Sequence, residues 1–240
     1  PALNWAPRSN GRSTWSNPLS WLESLHGATT RSLLGNLNVS YELYKGLTVR
    51  SNFGISDINQ TEYLTVPISS LDPTSAFQKL GRSTRGTNNR NNWIIEPQVD
   101  FSRAVGMHRI AAIVGGTMQQ VETIKRAFFG TGYTSDTMLE SIAAAPELRS
   151  IDSNNQYRYS SMFARINYTI NDKYLCSLTG RRDGSSRFGP GRRFGNIGSI
   201  GIAWIFSREN LIANNARIIS FGKLRTTVGT TGNDQIGDSK

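Results

Sequence analysis

The chain has almost nothing with which to build a metal centre or a covalent framework. Among 240 residues there is one cysteine, Cys176, and there are two histidines, His26 and His108, far apart in the sequence. A single cysteine forms no intrachain disulfide and no CxxC pair, and no His, Cys, Asp and Glu grouping has metal-ligand spacing, so no cofactor or metal is expected. Long apolar runs are also missing. The best, 110–114, is far too short for a transmembrane helix, so any membrane crossing requires a closed β-barrel, in which the strands satisfy one another's backbone groups. Catalytic signatures are absent too. No G-x-S-x-G elbow occurs, Gly222-Lys223 is followed by Leu224 rather than Ser or Thr, and Gly189-x-Gly191 is followed by Gly195, which breaks the dinucleotide fingerprint. Carboxylates such as Glu147 and Asp152 fall in expected loops with no partner to tune either pKa, so an enzyme is not expected. The chain opens at Pro1 without the basic and apolar regions of a signal peptide, as expected of a processed or internal segment.

Acidic residues are scarce. Asp and Glu total 17 against 27 Lys and Arg, giving a formal net charge of +10, and 21 of the 27 cations are arginines. Such an excess raises a polyanion partner as one reading. The arginines are spread along the whole chain, however, without the concentration on one helix or the aromatic interleaving of a nucleic-acid binder. They read instead as solvated charges of loops and of a wet interior.

What is present is alternation. Leu33, Leu37, Val39, Tyr41 and Leu43 share one parity and Asn36, Asn38, Ser40 and Glu42 the other. Lys45-Gly46 then turns the chain into a second strand with Leu47, Val49, Phe53 and Ile55 opposite Thr48, Arg50 and Asn52. A second hairpin is expected over about 93–125 with its turn at 105–108. A third has Met162, Ala164, Ile166, Tyr168 and Ile170 on one face and Arg165, Asn167 and Thr169 on the other, with a turn at Asn171-Asp172. A fourth pair, about 194–206 and 217–229, is joined through 207–216, which accommodates a helical turn. The polar stretches 57–91, 126–155 and 183–193 are expected to be long loops, as is the Pro-, Asn- and Trp-bearing segment 1–30. Short turns alternating with long connections are the pattern of an up-and-down outer-membrane barrel, and Tyr41, Tyr168, Tyr174, Trp204 and Phe206 lie near the short-turn end, as an interfacial girdle would. On that reading the fold is all-β and antiparallel: about eight strands of a larger transmembrane barrel spanning roughly 31–229, with Cys176 facing lipid. A soluble β-protein with a core of aromatics remains an alternative.

The segment 181–204, RRDGSSRFGPGRRFGNIGSIGIAW, resembles the strand-loop-strand signature of the SusC/RagA family of TonB-dependent transporters, and 221–237, FGKLRTTVGTTGNDQIG, resembles the strand and loop that follow it. Weaker matches are Asn17-Pro18-Leu19, Leu34-Gly35-Asn36-Leu37 and YELYKGL at 41–47. The resemblance implies an outer-membrane barrel of roughly 22 strands, which eight cannot close. Nothing in the chain resembles that family's plug domain, so a barrel fragment is expected. It further implies import of a bulky nutrient such as a glycan or peptide, energised through TonB, and a SusD-like surface lipoprotein at the loops 57–91 and 126–155. Arg181, Arg182, Arg187, Arg192 and Arg193 are expected on or near the extracellular rim. Arg165 and Asn167 are the lumen-facing candidates for substrate contact, chosen by parity. A passive porin-like barrel and a soluble basic protein that binds nucleic acid are the competing functions, the latter requiring a salt-steep affinity for DNA or RNA.

Overall fold

The computed structural model describes residues 3–15, 17–75, 80–188, 193–215 and 219–232. It is one eight-stranded sheet in which each strand pairs with the next in sequence: β1 (Leu25–Tyr44), β2 (Leu47–Val66), β3 (Gly81–Val105), β4 (His108–Tyr133), β5 (Glu147–Ile170), β6 (Tyr174–Ser185), β7 (Phe194–Trp204) and β8 (Leu224–Gly229). The order runs from β1 to β8 without closing, so β1 and β8 are edges of a partial barrel. Among the described residues no helix is long and apolar enough to cross a membrane. The helical turn expected between the last two strands is α1 (Asn210–Asn215).

The expected tight turns at 45–46, 106–107 and 171–172 are all present. Asn171 and Asp172 both take positive φ, which these short polar side chains tolerate, and three residues then separate the paired Ile170 and Tyr174. The long loops come out shorter than the sequence suggested. β2 continues to Val66, β3 starts at Gly81, β4 runs to Tyr133 and β5 starts at Glu147, so the connections shrink to 67–80 and 134–146. Likewise β1 begins at Leu25, preceded by a 3-10 helix over Pro18–Glu23, and β6 reaches Ser185. Of the expected 183–193 loop, 189–192 lie outside the described residues, as does Arg217 at the expected start of the last strand. Ladder pairing, rather than apolar alternation, carries the strands through these polar stretches, and cross-strand side-chain bonds accompany it: Asn91 to Asp57 at 3.2 Å, Arg126 to Asp152 at 3.5 Å and Thr131 to Glu147 at 3.1 Å.

Two compact units divide the chain. The first comprises Pro1–Leu33, Ser56–Asn91 and Glu122–Gln156. Its connections pack on a small core of Leu71, Tyr133 and Leu139. The Asp136 carboxylate accepts from the N–H groups of Ile68, at 2.6 Å, and Ser69, tying the two connections together. Burial works to raise the Asp72 carboxyl, but bonds from the Ser13 hydroxyl and from the N–H and hydroxyl of Thr74 outweigh it and hold the group below its ordinary value.

The second unit comprises Leu34–Ile55, Asn92–Val121 and Tyr157–Lys240. Its strand registers assign the two faces. Tyr168 pairs with Cys176 and Cys176 with Ile202; Ile166 pairs with Leu178 and Leu178 with Ile200; these side chains form one apolar face with Tyr174 and Trp204 at the short-turn end. Its first strongly polar side chains, Arg182 and Asn196, stand level with Met162, and Phe194 follows one step beyond on β7. Opposite it, Asn167, Ser177 and Gly201, then Arg165, Thr179 and Ser199, form a polar face.

At the short-turn end, Glu209 joins the turn after β5 to the segment after β7. Its carboxylate accepts from the Tyr174 hydroxyl at 2.7 Å, the Lys173 ammonium at 3.0 Å and the Trp204 Nε1–H at 3.1 Å, and these bonds hold its pKa down at about 2. Because the folded value lies below the unfolded one, this anchor is fully formed above the ordinary carboxylate value of 4.5 and is lost as pH falls through about 2. In an acid titration, Trp204 fluorescence therefore shows a transition in that window which Glu209→Gln lacks. Superimposable titrations of the two proteins would refute the assignment.

Candidate functional site

On the polar face, β5 and β6 bring Tyr159, Arg181 and Asp183 together. The pairs Ser161 with Asp183 and Phe163 with Arg181 set this register, so odd-numbered side chains of both strands project the same way. The Tyr159 hydroxyl donates to Asp183 Oδ1 at 2.9 Å, Arg181 Nε donates to the same oxygen at 2.5 Å, and Arg181 Nη2 donates to the Tyr159 hydroxyl oxygen. The three close a ring in which the carboxylate charge is met by the guanidinium. Beside them lies a cavity of about 610 Å³ whose wall also includes Phe188, Ile197 and Thr231. An aromatic edge, an aliphatic patch and several polar groups around one open space suit a ligand with both polar and apolar surface. The site offers hydrogen bonding and stacking but no activated nucleophile. Among the described residues no group of three or more His, Cys, Asp or Glu could hold a metal ion.

A second polar ladder crosses β1 to β4. Asn38 Nδ2 donates to Asn52 Oδ1 at 2.8 Å, and Asp100 Oδ1 accepts from Arg50 Nη2 at 2.6 Å and from Gln98 Nε2 at 2.8 Å. A cavity of about 300 Å³ opens here between Asn38, Arg50, Asn52, Glu96, Thr117 and Phe163. These bonds fix the orientation of Asn38, Asn52, Arg50, Gln98 and Asp100.

Arg165 and Asn167, the candidates from parity, lie on this polar face opposite Thr179 and Ser177. Neither lines the cavity at Arg181 or the one at Phe163. Sequence reasoning placed Arg181 at a rim and passed over Tyr159 and Asp183. The signal that finds them is the same alternation that selected Arg165, carried upstream past Met162 and downstream past Thr179. It also separates Arg181, on the polar face, from its neighbour Arg182, on the apolar one.

No protein-family model matches the chain. TonB-dependent receptor P26 of Formosa agariphila is 29% identical over 231 residues, which is 93% of this chain and 23% of that protein. TonB-dependent receptor P39 of the same organism is 46% identical over 79 residues, 33% of this chain and 8% of that protein. TonB-dependent receptor SusC of Bacteroides thetaiotaomicron is 28% identical over 239 residues, 98% of this chain and 23% of that protein. The fold is that of the RagAB peptide transporter, with a TM-score of 0.81 at 19% identity over 95% of this chain and 27% of the solved one. The RagAB peptide importer in its open-open state gives 0.80 at 21% identity over 95% and 25%. The chain therefore spans about a quarter of the length of the relatives it matches; it is similar to TonB-dependent receptors, SusC among them, along almost its whole length, and it has the fold of part of a RagAB chain. These relatives are receptors and transporters, not enzymes.

Proposed function

We propose that this chain is part of the wall of an outer-membrane, TonB-dependent importer of a bulky nutrient, a glycan oligosaccharide or a peptide. The observation that carries this reading is a sheet with one apolar and one polar face across three paired strands, in a chain similar to TonB-dependent receptors along almost its whole length. In a bilayer the apolar face meets lipid and the polar face lines the lumen, with the short turns periplasmic. A tilted spanning strand needs only about 9–11 residues, so strands of 25 and 26 residues such as β3 and β4 extend well past the hydrocarbon. The polar stretches of those strands then form a wet vestibule wall on the outer side. The connections 67–80 and 134–146 crown it and are where a SusD-like lipoprotein docks. The cavity beside Tyr159, Arg181 and Asp183 is the substrate contact, and Arg165 and Asn167 line the path further toward the periplasm. TonB acts through a plug domain elsewhere in the full-length protein.

The test is uptake of labelled oligosaccharides and peptides by cells with and without the full-length protein, each with and without TonB. Uptake that needs both components supports the proposal. Uptake that needs the barrel but persists without TonB would indicate a passive pore instead. Within a cell that imports, Asp183→Ala leaves Arg181 and Tyr159 without their shared acceptor and lowers apparent substrate affinity by about tenfold, the loss of one charge-assisted pairing. An unchanged half-saturation concentration in that variant would remove the cavity from the substrate path.

A further inference from the structure

The apolar face of the second unit carries a groove with a cation at its end. Gly116 has no side chain between Val114 and Met118, and the surrounding Val49, Pro97 and Met162 leave a depression of about 580 Å³. Arg182 and Phe194 complete its wall. The Arg182 guanidinium lies over the Phe194 ring, 4.8 Å from its centroid, and among the described residues it makes no ion pair. An arginine on a lipid-facing surface is costly near the bilayer centre and nearly free at the interface.

Register shows that Arg182 is at the interface. Even-numbered residues of β6 are apolar or glycine from Tyr174 through Gly180, and Arg182 is the first charge, level with Asn196 on β7. Eight residues separate it from Tyr174, about 26 Å along an extended strand and about 20 Å along the membrane normal at the usual barrel tilt. That distance brings Arg182 to within about 5 Å of the outward edge of an apolar band about 25 Å tall, a gap that its long side chain spans to reach the lipid phosphates. A stacked, unpaired guanidinium there has the geometry to accept a phosphate bidentately, while the groove beside Gly116 accepts hydrocarbon.

We infer that Arg182 and the Gly116 groove form a binding site for an anionic lipid of the outward leaflet, its phosphate on the guanidinium and an acyl chain along Val114, Met118 and Met162. The inference rests on the outer-membrane reading above. Its test uses the full-length protein, reconstituted into vesicles of phosphatidylcholine containing a minor share of phosphatidylglycerol, extracted in mild detergent and weighed by native mass spectrometry for retained lipid. The wild-type protein retains phosphatidylglycerol in preference to phosphatidylcholine. Arg182→Gln lowers that preference about tenfold, Arg182→Lys keeps much of it, and Arg225→Gln, a change on the opposite face, leaves it intact. Equal retention of the two lipids by the wild type, or an unchanged preference in Arg182→Gln, overturns the lipid site while the barrel stands. Failure of the wild-type protein to insert into vesicles overturns both readings.

Discussion

Gly46→Ala sharply lowers the fraction of protein recovered as folded barrel, whereas Gly106→Ala, at the neighbouring hairpin turn, lowers it only slightly. Both glycines take positive φ, +90° and +57°, so each substitution carries a dihedral penalty of about 1–2 kcal/mol. The surroundings decide the rest. A Cβ on Gly106 meets nothing within 4 Å, whereas one on Gly46 overlaps the backbone carbonyl oxygen of Ser102, which cannot swing away as a side chain does. Gly46 also accepts the Ser102 N–H at 2.7 Å, a bond the same overlap pulls apart. That bond fastens the first hairpin to β3, so its loss adds about 0.5–1.5 kcal/mol and frees the strand pairing that the rest of the sheet builds on. The measurement is the heat-modifiable, folded band on a gel after refolding into detergent. Equal yields for the two alanine variants would show that the close approach at Ser102 is relieved without cost.

The second large effect is at Tyr133, whose side chain is fully buried in the small core of the first unit. Its Cβ lies beside Gly81, its hydroxyl reaches past Gly130, and that hydroxyl donates to the Ser141 carbonyl at 3.0 Å. Tyr133→Ala removes the largest side chain of that core, at a cost of about 3–5 kcal/mol, in a connection with little else to hold it. Tyr133→Phe costs about 1 kcal/mol, the single hydrogen bond. Limited proteolysis reads the difference: cleavage within 134–146 accelerates strongly in the alanine variant and barely in the phenylalanine one, with the strands still resistant. Resistance of the alanine variant equal to that of wild type would mean that the connection is held by its hydrogen bonds, such as those the Asp136 carboxylate accepts, and not by the aromatic ring.

The sheet was legible wherever one of its faces is sorted against an apolar medium. Leu37, Val39, Tyr41 and Leu43, and later Ile166, Tyr168, Cys176 and Leu178, alternate because their neighbours in register face the same way, and the tight turns at Gly46, Gly106 and Asn171 punctuate them. Legibility failed at 57–66, 81–91, 126–133 and 147–155, where apolar and polar residues do not alternate, as at the adjacent Phe128 and Phe129, and the period has nothing to record. Arg82 to Asn92 reads as a loop by composition and is extended because adjacent strands complete its backbone bonds. The candidate site shows the same limit. Arg165 and Asn167 followed from parity inside the sorted zone, but Tyr159 and Asp183 stand just beyond its edge, and finding them means carrying that parity and the register set by the turn at Asn171-Asp172 out through a polar stretch.

The level at which Met162, Arg182 and Asn196 stand side by side divides these three strands into two regimes of tolerated change. On the short-turn side of it, inserting or deleting one residue in a strand inverts every side chain, sending Arg165 and Arg181 to the apolar face and Leu178 to the polar one, so change there is confined to like-for-like exchange. On the other side the two faces are less sharply sorted, an inversion costs less, and strands can lengthen or slip more freely. On the proposed reading, the outer extensions can therefore be remodelled by indels as readily as by point changes, while the sorted band beneath them keeps its register.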